Sequence, residues 1–377
     1  MNIVLFYQSL LSDTWSHGNT PFMRGVINEL IIRGHSVKVL ELENNSSLSN
    51  LLATHGEHAL SSLQARYPIL EARFYTIKKL DLTQELSKAD MVIVHESNSP
   101  ELVEALGNHR ASHAYYRLLF HDTYHHSITH PKATASYNLT HYDGVLADCA
   151  VIRNIYLKER RAQKAWTWHK SADIRVFHPY PYTQKEGDLV WFGDWNEKEG
   201  LATLEEFFIR PVKELALKAS IYGINYPDHV LEALEEAGIK YAGWIPNYEI
   251  PEVFAKFRIA MHLPAHSSVD AFLGIPSRLL LEALACGIPL VSSPWENCEN
   301  LFSVGKDFLM AKNGREMTKL LVQILDDEHI GNRLVQHGLN TILKHHTCAH
   351  RVDSLLQIGV ELNLVTEPKA IGQRMAV

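Results

Sequence analysis

The sequence predicts an α/β protein made of two parallel-sheet halves that face each other across a cleft, followed by C-terminal helices. Three observations carry this expectation. Short apolar runs alternate with amphipathic stretches along the chain, the pattern left by βαβ units. The alternation occurs twice, on either side of the polar, proline-containing segment "FHPYPYTQKEGD" at 177–188. The 377 residues suffice for two domains of ordinary size and a large buried core.

In the first half the expected strands are "NIVLFY" (2–7), "SVKVLEL" (36–42), "MVIVHES" (91–97), "YYRLLF" (115–120), "GVLAD" (144–148) and "KAWTW" (164–168). In the second they are "LVWFG" (189–193), "ASIYG" (219–223), "IKYAGWI" (239–245), "RIAMHL" (258–263) and "IPLVSS" (288–293). Thr20 and Pro21 start the first helix and Gly34 stops it. The stretch from about Asn332 to Leu362 reads as one or two long helices, with a frayed tail beyond. The expected layout is a Rossmann-like domain at 1–177, a linker at 178–188, a second Rossmann-like domain at 189–345, and a C-terminal helix and tail at 346–377. Two such domains bind ligands in the crevice at the carboxyl ends of their strands.

Composition removes several classes of function. Hydrophobic residues are 46% and charged residues 21% of the chain, as in ordinary globular proteins. The net charge of -7 and the lack of a Lys/Arg run argue against non-specific nucleic-acid binding. No apolar run is long enough to span a bilayer. "MNIVLFYQSLLSD" reads as a core strand rather than a signal peptide. The four scattered cysteines form neither a disulfide framework nor a zinc pair, which fits a reducing cytoplasm. The first βα connection, "QSLLSDTWSHGNT", has one glycine and lacks the Gly-x-Gly-x-x-Gly fingerprint of a dinucleotide enzyme. It brings His17, Gly18 and Asn19 to a helix N-terminus, where they either bind an anion or sugar hydroxyl or simply cap the turn.

The most informative stretch is "GIPSRLLLEALACGIPLVSSP" at 274–294. It reads as a helix from Pro276 to Gly287 that is apolar nearly all round and therefore buried. Arg278 and Glu282 nevertheless lie one turn apart on one face of it. An unpaired buried charge is expensive. Either the two pair with each other, or each has its own target. Arg preceding Glu is the poorer helical order, which favours separate targets. Arg278 and the helix N-terminus would then hold a phosphate oxyanion, and Glu282 would accept ribose or sugar hydroxyls.

"PSRLLLEALACGIPLVSS" resembles the donor-site helix of the GT-B glycosyltransferases, of the retaining family-four type and its spore-maturation-protein (CgeB-like) branch. In the same order "TWSHGNTPFMRGVINELIIRGHSVKVLE", "FHDTYHHS", "DLVWFGDW", "SIYGINYPD", "YAGWIPNYEIPEVFAKFRIAMHL" and "GKDFLMAKNGREM" are similar to the family's pattern. The resemblance spans most of residues 1–330 and is most specific at 276–293. It implies a nucleotide-sugar donor in the C-terminal half and an acceptor facing the N-terminal half. Glu282 would contact the donor ribose, with Ser277 and Arg278 where the helix meets the diphosphate. Gly193 would bring its loop close to the diphosphate, Gly243 and Trp244 would flank the nucleobase, and Tyr222 and Gly223 would line the donor site. His121 would hydrogen-bond the reacting sugar, and His17, Gly18 and Asn19 would close over it. The family's usual first Glu, eight residues before Glu282, is Gly274 here. Its usual Arg and Lys after the first strand of the C-terminal half are Asp194 and, as a looser match, Lys198.

Twenty-two histidines invite a metal reading of "HDTYHHSITH" at 121–130. His121 and His125 have helical spacing, but the Glu of His-Glu-x-x-His is replaced by Asp122 and the segment reads as a loop. "KHHTCAH" at 344–350 reads as solvent-facing helix. No Asp-x-Asp occurs, so no metal is expected, and the resemblance implies no cofactor beyond the nucleoside-diphosphate sugar as co-substrate. Charge on a leaving diphosphate would fall to Arg278, the helix N-terminus and Lys198. The expected activity is sugar transfer from a nucleoside-diphosphate sugar to an unidentified glycan, protein or small molecule, retaining and metal-independent. The alternatives are a sugar-nucleotide epimerase of the same architecture and a non-catalytic sugar-nucleotide-binding protein.

Overall fold

A computed structural model describes residues 1–10, 21–123, 136–181, 184–195, 200–264 and 275–364. The first half carries strands β1 (Asn2–Tyr7), β2 (Ser36–Leu42), β3 (Ala72–Tyr75), β4 (Met91–His95), β5 (Arg117–Asp122), β6 (Gly144–Ala147) and β7 (Ala165–Thr167). They form one parallel sheet in the order β3-β2-β1-β4-β5-β6-β7. The second half carries β8 (Gly187–Phe192), β9 (Ala219–Tyr222), β10 (Lys240–Tyr241), β11 (Phe257–His262), β12 (Leu290–Ser292) and β13 (Leu309–Met310). These pair in parallel in the order β10-β9-β8-β11-β12-β13. The central strands are continuous apolar runs because helices cover both faces of a parallel sheet, and every residue of "MVIVH" is buried.

The strand order reverses between β1 and β4 in one sheet and between β8 and β11 in the other. These are the two switch points, and the crevices beyond their carboxyl ends are the natural ligand sites.

All eleven expected strands are present. Two short edge strands, β3 and β13, were not expected, and "IKYAGWI" contributes only the two residues of β10. The first helix runs from Phe22 to Ile32, with Pro21 at its N-cap position, and Gly34 follows at φ +83°. Helices Gly314–Asp326, Glu328–His345 and Cys348–Glu361 close the described chain.

The last helix packs on the first. Arg33 pairs with Asp353 at 2.5 Å, the Trp168 indole N–H donates to the Arg351 carbonyl at 3.0 Å, and the Trp166 indole N–H donates to Glu361 at 2.8 Å. A Cβ on Gly25 would stand 2.6 Å from both the Asp173 Cβ and the Cys348 Sγ, so only glycine allows this approach. One apolar cluster runs from Leu5 through Val352 and Leu355 to Leu280 and Leu284, joining the halves through that helix.

The expectation of a solvent-facing helix at 344–350 is corrected here. The helix ends at His345, and His346, Thr347 and Cys348 are buried where the chain turns back toward the first half. The polar side chains are satisfied locally: the His346 Nε2 bonds the Leu301 carbonyl, and Thr347 and His350 bond each other.

Candidate functional site

The helix Arg278–Cys286 begins beside the second switch point. Ser277 is its N-cap, accepting the Leu280 N–H at 3.2 Å, and Gly287 closes it at φ +67°. Arg278 and Glu282 are both buried at 2% exposure and form an ion pair with each other. The Asn247 side-chain amide also donates to the Glu282 carboxylate, at 3.2 and 3.4 Å. Of the two readings the sequence left open, the structure contains the mutual pair. A ligand would therefore meet a charge pair already formed, rather than two separate charges. Tyr67, from the first half, is buried against the same region. Burial first, and then the Asp173 charge, raise its hydroxyl well above the usual range, and it also feels Arg24 and Glu282. The Arg24 guanidinium lies 6.0 Å from the Tyr67 ring centre.

Three loops leave the carboxyl ends of β8, β9 and β10 side by side. The Gly193 N–H donates to the Tyr222 carbonyl and the Gly223 N–H to the Gly243 carbonyl, each at 2.9 Å. A Cβ on Gly223 would stand 2.0 Å from the Gly193 carbonyl oxygen, so the two backbones meet where no side chain fits. The Tyr226 hydroxyl donates to the Gly193 carbonyl and the Tyr241 hydroxyl to that of Gly223, each at 2.8 Å. Asp194 accepts the Ile224 N–H at 3.1 Å and so fastens one loop to the next. Tyr222 stacks on Phe192 with ring centres 5.0 Å apart, and Trp244 is half-buried in the loop after Gly243. The structure thus brings Gly193, Asp194, Tyr222, Gly223 and Gly243 together at one sheet edge.

Next to the first switch point, at the carboxyl end of β5, His121 is fully buried. Its Nδ1 bonds the Tyr7 hydroxyl at 2.7 Å, while its Nε2 has no partner among the described residues. Trp168 packs edge-on at 5.0 Å and His95 at 5.4 Å. Burial pushes the imidazole down to about 3, Asp148 opposing and Lys170 adding to the effect. Asp148 and Lys170 form a buried ion pair of 2.7 Å. Glu299, on the loop beyond β12, accepts the Ala150 N–H at 2.8 Å and bonds the His169 Nε2 at 2.9 Å, tying the second half to the first.

His17, Gly18, Asn19, His125, Lys198 and Gly274 lie outside the described residues. Among the described residues no three His, Cys, Asp or Glu side chains form a group able to hold a metal, and no helix is long and apolar enough to cross a membrane.

Sequence reasoning missed Tyr7, Asp148, Lys170, Asn247 and His262. The last had a signal. Three strands, "MVIVH", "RLLFH" and "FRIAMH", carry a histidine where the apolar run ends, and all three histidines are buried at carboxyl edges. A polar residue ending such a run marks the crevice. Together the edges offer carboxylates and neutral imidazoles for hydroxyl groups, and a helix N-terminus with a guanidinium for an anion.

Residues 199–357 match the family described as glycosyl transferase-like. No curated protein matches the chain in sequence. Solved structures match nearly its whole length. Anabaena Alr3699/HepE in complex with UDP and glucose has a TM-score of 0.64 at 14% identity, covering 96% of this chain and 100% of that one. Sucrose-phosphate synthase from Thermosynechococcus elongatus gives 0.62 at 12% identity, with 96% and 99% covered. An alpha-glucosyltransferase in complex with UDP-glucose and DNA containing an abasic site gives 0.70 at 13% identity, again with 96% and 99% covered. The fold is therefore the two-domain α/β architecture of the GT-B glycosyltransferases.

Proposed function

We propose that the protein transfers a sugar from a UDP-sugar to an acceptor hydroxyl or amine, with retention at the anomeric carbon, without a metal, in the cytoplasm. The reading rests on one juxtaposition. A glycosyl transferase-like segment carries a buried charged turn at a switch point, within a fold shared along its length with structures that hold UDP or UDP-glucose. The pattern "SRLLLEALACG" supports placement near the CgeB-like branch.

In this mechanism Glu282, oriented by Arg278 and Asn247, accepts hydrogen bonds from the ribose hydroxyls. The helix N-terminus at Ser277, with Arg278, meets the diphosphate, and Lys198 adds charge. The side-chain-free contact of Gly193 with Gly223 lets the backbone approach the phosphates. Tyr222 lines the donor site, and Trp244, after Gly243, flanks the base. Asp194 acts on the loop rather than on the phosphate, since it accepts the Ile224 N–H. The bond from the anomeric carbon to the diphosphate oxygen breaks, the acceptor oxygen or nitrogen bonds to that carbon, and its proton passes to the departing diphosphate. His121, kept neutral by burial, hydrogen-bonds the sugar through Nε2, while His17, Gly18 and Asn19 orient the acceptor over it.

Titration calorimetry with UDP, and UDP release from a panel of UDP-sugars and acceptors, test this. UDP at a hundred times its dissociation constant is expected to add about 2.7 kcal/mol of stability. Failure of UDP and every other nucleoside diphosphate to bind overturns the reading. Isomerised sugar nucleotide formed with no acceptor present counts equally against transfer.

A further inference from the structure

The His262 side chain is buried, and burial pushes it down to about 3, so it is neutral at physiological pH. Its hydrogen bonds fix which nitrogen carries the proton. The Ser292 hydroxyl donates to the Ser293 carbonyl at 2.7 Å. Its oxygen is therefore the acceptor in the 2.8 Å bond to His262 Nδ1, which must carry the hydrogen. Nε2 is then the lone-pair nitrogen. In the 2.8 Å bond between Nε2 and the Ser277 Oγ, the serine must donate. The same oxygen accepts the Leu280 N–H at 3.2 Å. Every proton in the chain Leu280 N–H to Ser277 to His262 to Ser292 to the Ser293 carbonyl is accounted for.

We infer that His262 is a positioning residue for the donor diphosphate: it accepts the Ser277 hydroxyl's hydrogen bond at Nε2 and pins the first turn of the helix Arg278–Cys286 to strands β11 and β12. The inference rests on the UDP-sugar reading. It has a chemical consequence. The Ser277 hydroxyl cannot donate to a phosphate while its O–H is donated to His262 Nε2, so the anion is met by backbone N–H groups and Arg278, in a geometry set by the imidazole.

A second observation points to a ligand here. The Ser293 hydroxyl and the Trp295 indole N–H have no partner among the described residues although both side chains are buried, and Trp295 packs edge-on to His262 at 6.2 Å. Both can donate hydrogen bonds, as phosphate oxygens require. The sequence shows only the histidine ending "FRIAMH" and the serine before "RLLLE". The relay between them appears once β11, β12 and the helix are packed.

Two measurements test the inference. Selective ¹⁵N-histidine labelling of the wild-type protein, with the signal assigned by its loss in His262→Asn, should show Nδ1 protonated and Nε2 bare. A proton on Nε2 overturns the relay whether or not the protein binds UDP. In calorimetry, His262→Phe should weaken UDP about tenfold and leave uridine unchanged, with His262→Asn recovering part of the loss. Equal weakening of UDP and uridine, or of neither, overturns the positioning role. If His262→Phe does not fold, Ser292→Ala, which removes only the far end of the relay, replaces it with the same readout. A wild-type protein that binds no UDP sinks the functional reading and leaves the tautomer measurement standing on its own.

Discussion

At the scale of the residue, the ion pair between Arg278 and Glu282 decides how this region responds to mutation. Both groups are buried, so removing one leaves the other charged and out of water. Losing one partner of such a pair typically costs about 3–5 kcal/mol, whereas replacing both with apolar side chains of similar size is often neutral. Glu282→Leu and Arg278→Met are each expected to lower urea-unfolding stability by about that amount. The double variant should recover most of it and still fail to bind UDP. Single variants as stable as wild type would mean that other groups compensate each charge. The helix's burial and its two charges were legible in "SRLLLEALACG", because leucines on every face require a buried helix. Their mutual pairing was not, since sequence spacing permits the bond without requiring it. Tyr7 and Asn247 were illegible for another reason: each reaches its partner from a different segment, 114 and 35 residues away.

At the scale of the element, what the sequence reveals depends on which faces are covered. The central strands are legible because helices bury both of their faces. β3 is not, because the edge strand "ARFY" exposes Arg73 and Phe74 and carries no apolar run. β13 is two residues long and joins the sheet by pairing with β12. "KHHTCAH" has the composition of a surface helix, and only the return of the last helix onto the first buries its middle. The loop contact between β8 and β9 is equally tertiary, since "SIYG" signals the end of a strand and says nothing of a second backbone 2.0 Å from a Cβ that is not there. Neither backbone can yield cheaply, so Gly223→Ala must force these loops apart. Overpacking of this kind costs about 1–3 kcal/mol, and UDP affinity should fall with it. Gly243 offers the control: at φ +72° with nothing within 4 Å of its Cβ, Gly243→Ala is strained only in its backbone and should be the milder change. Equal effects in denaturant titrations would refute the close-approach argument.

At the scale of the whole molecule, three buried histidines couple its stability to pH. His121 sits at the edge of the first sheet, His262 at the edge of the second, and His346 where the last helix turns back between them. Burial depresses the first two to about 3, and burial followed by the Arg351 charge depresses His346 to about 4. An unfolded histidine titrates near 6.5, so between these values the unfolded chain binds protons that the native protein refuses. The native contribution is complete above about pH 6.5 and is lost as the pH falls toward the folded values. Each histidine removes about 1.4 kcal/mol per pH unit once below 6.5, and three together remove about 4 kcal/mol per unit. Asp173, raised by burial, acts in the opposite direction at acidic pH and softens the slope. Against a total stability of about 5–15 kcal/mol, a loss approaching about 10 kcal/mol by pH 4 is a large fraction of the whole. Urea-unfolding free energies should be level from pH 7 to 8 and fall steeply below 6.5, and His262→Asn should shallow that fall by close to one proton. Because the three histidines lie in both halves and at their junction, the transition is expected to stay a single cooperative one as it moves. Equal stability at pH 5 and pH 7.5 would show that these imidazoles are protonated in the native state, which would remove the neutral His121 and His262 on which the site geometry depends.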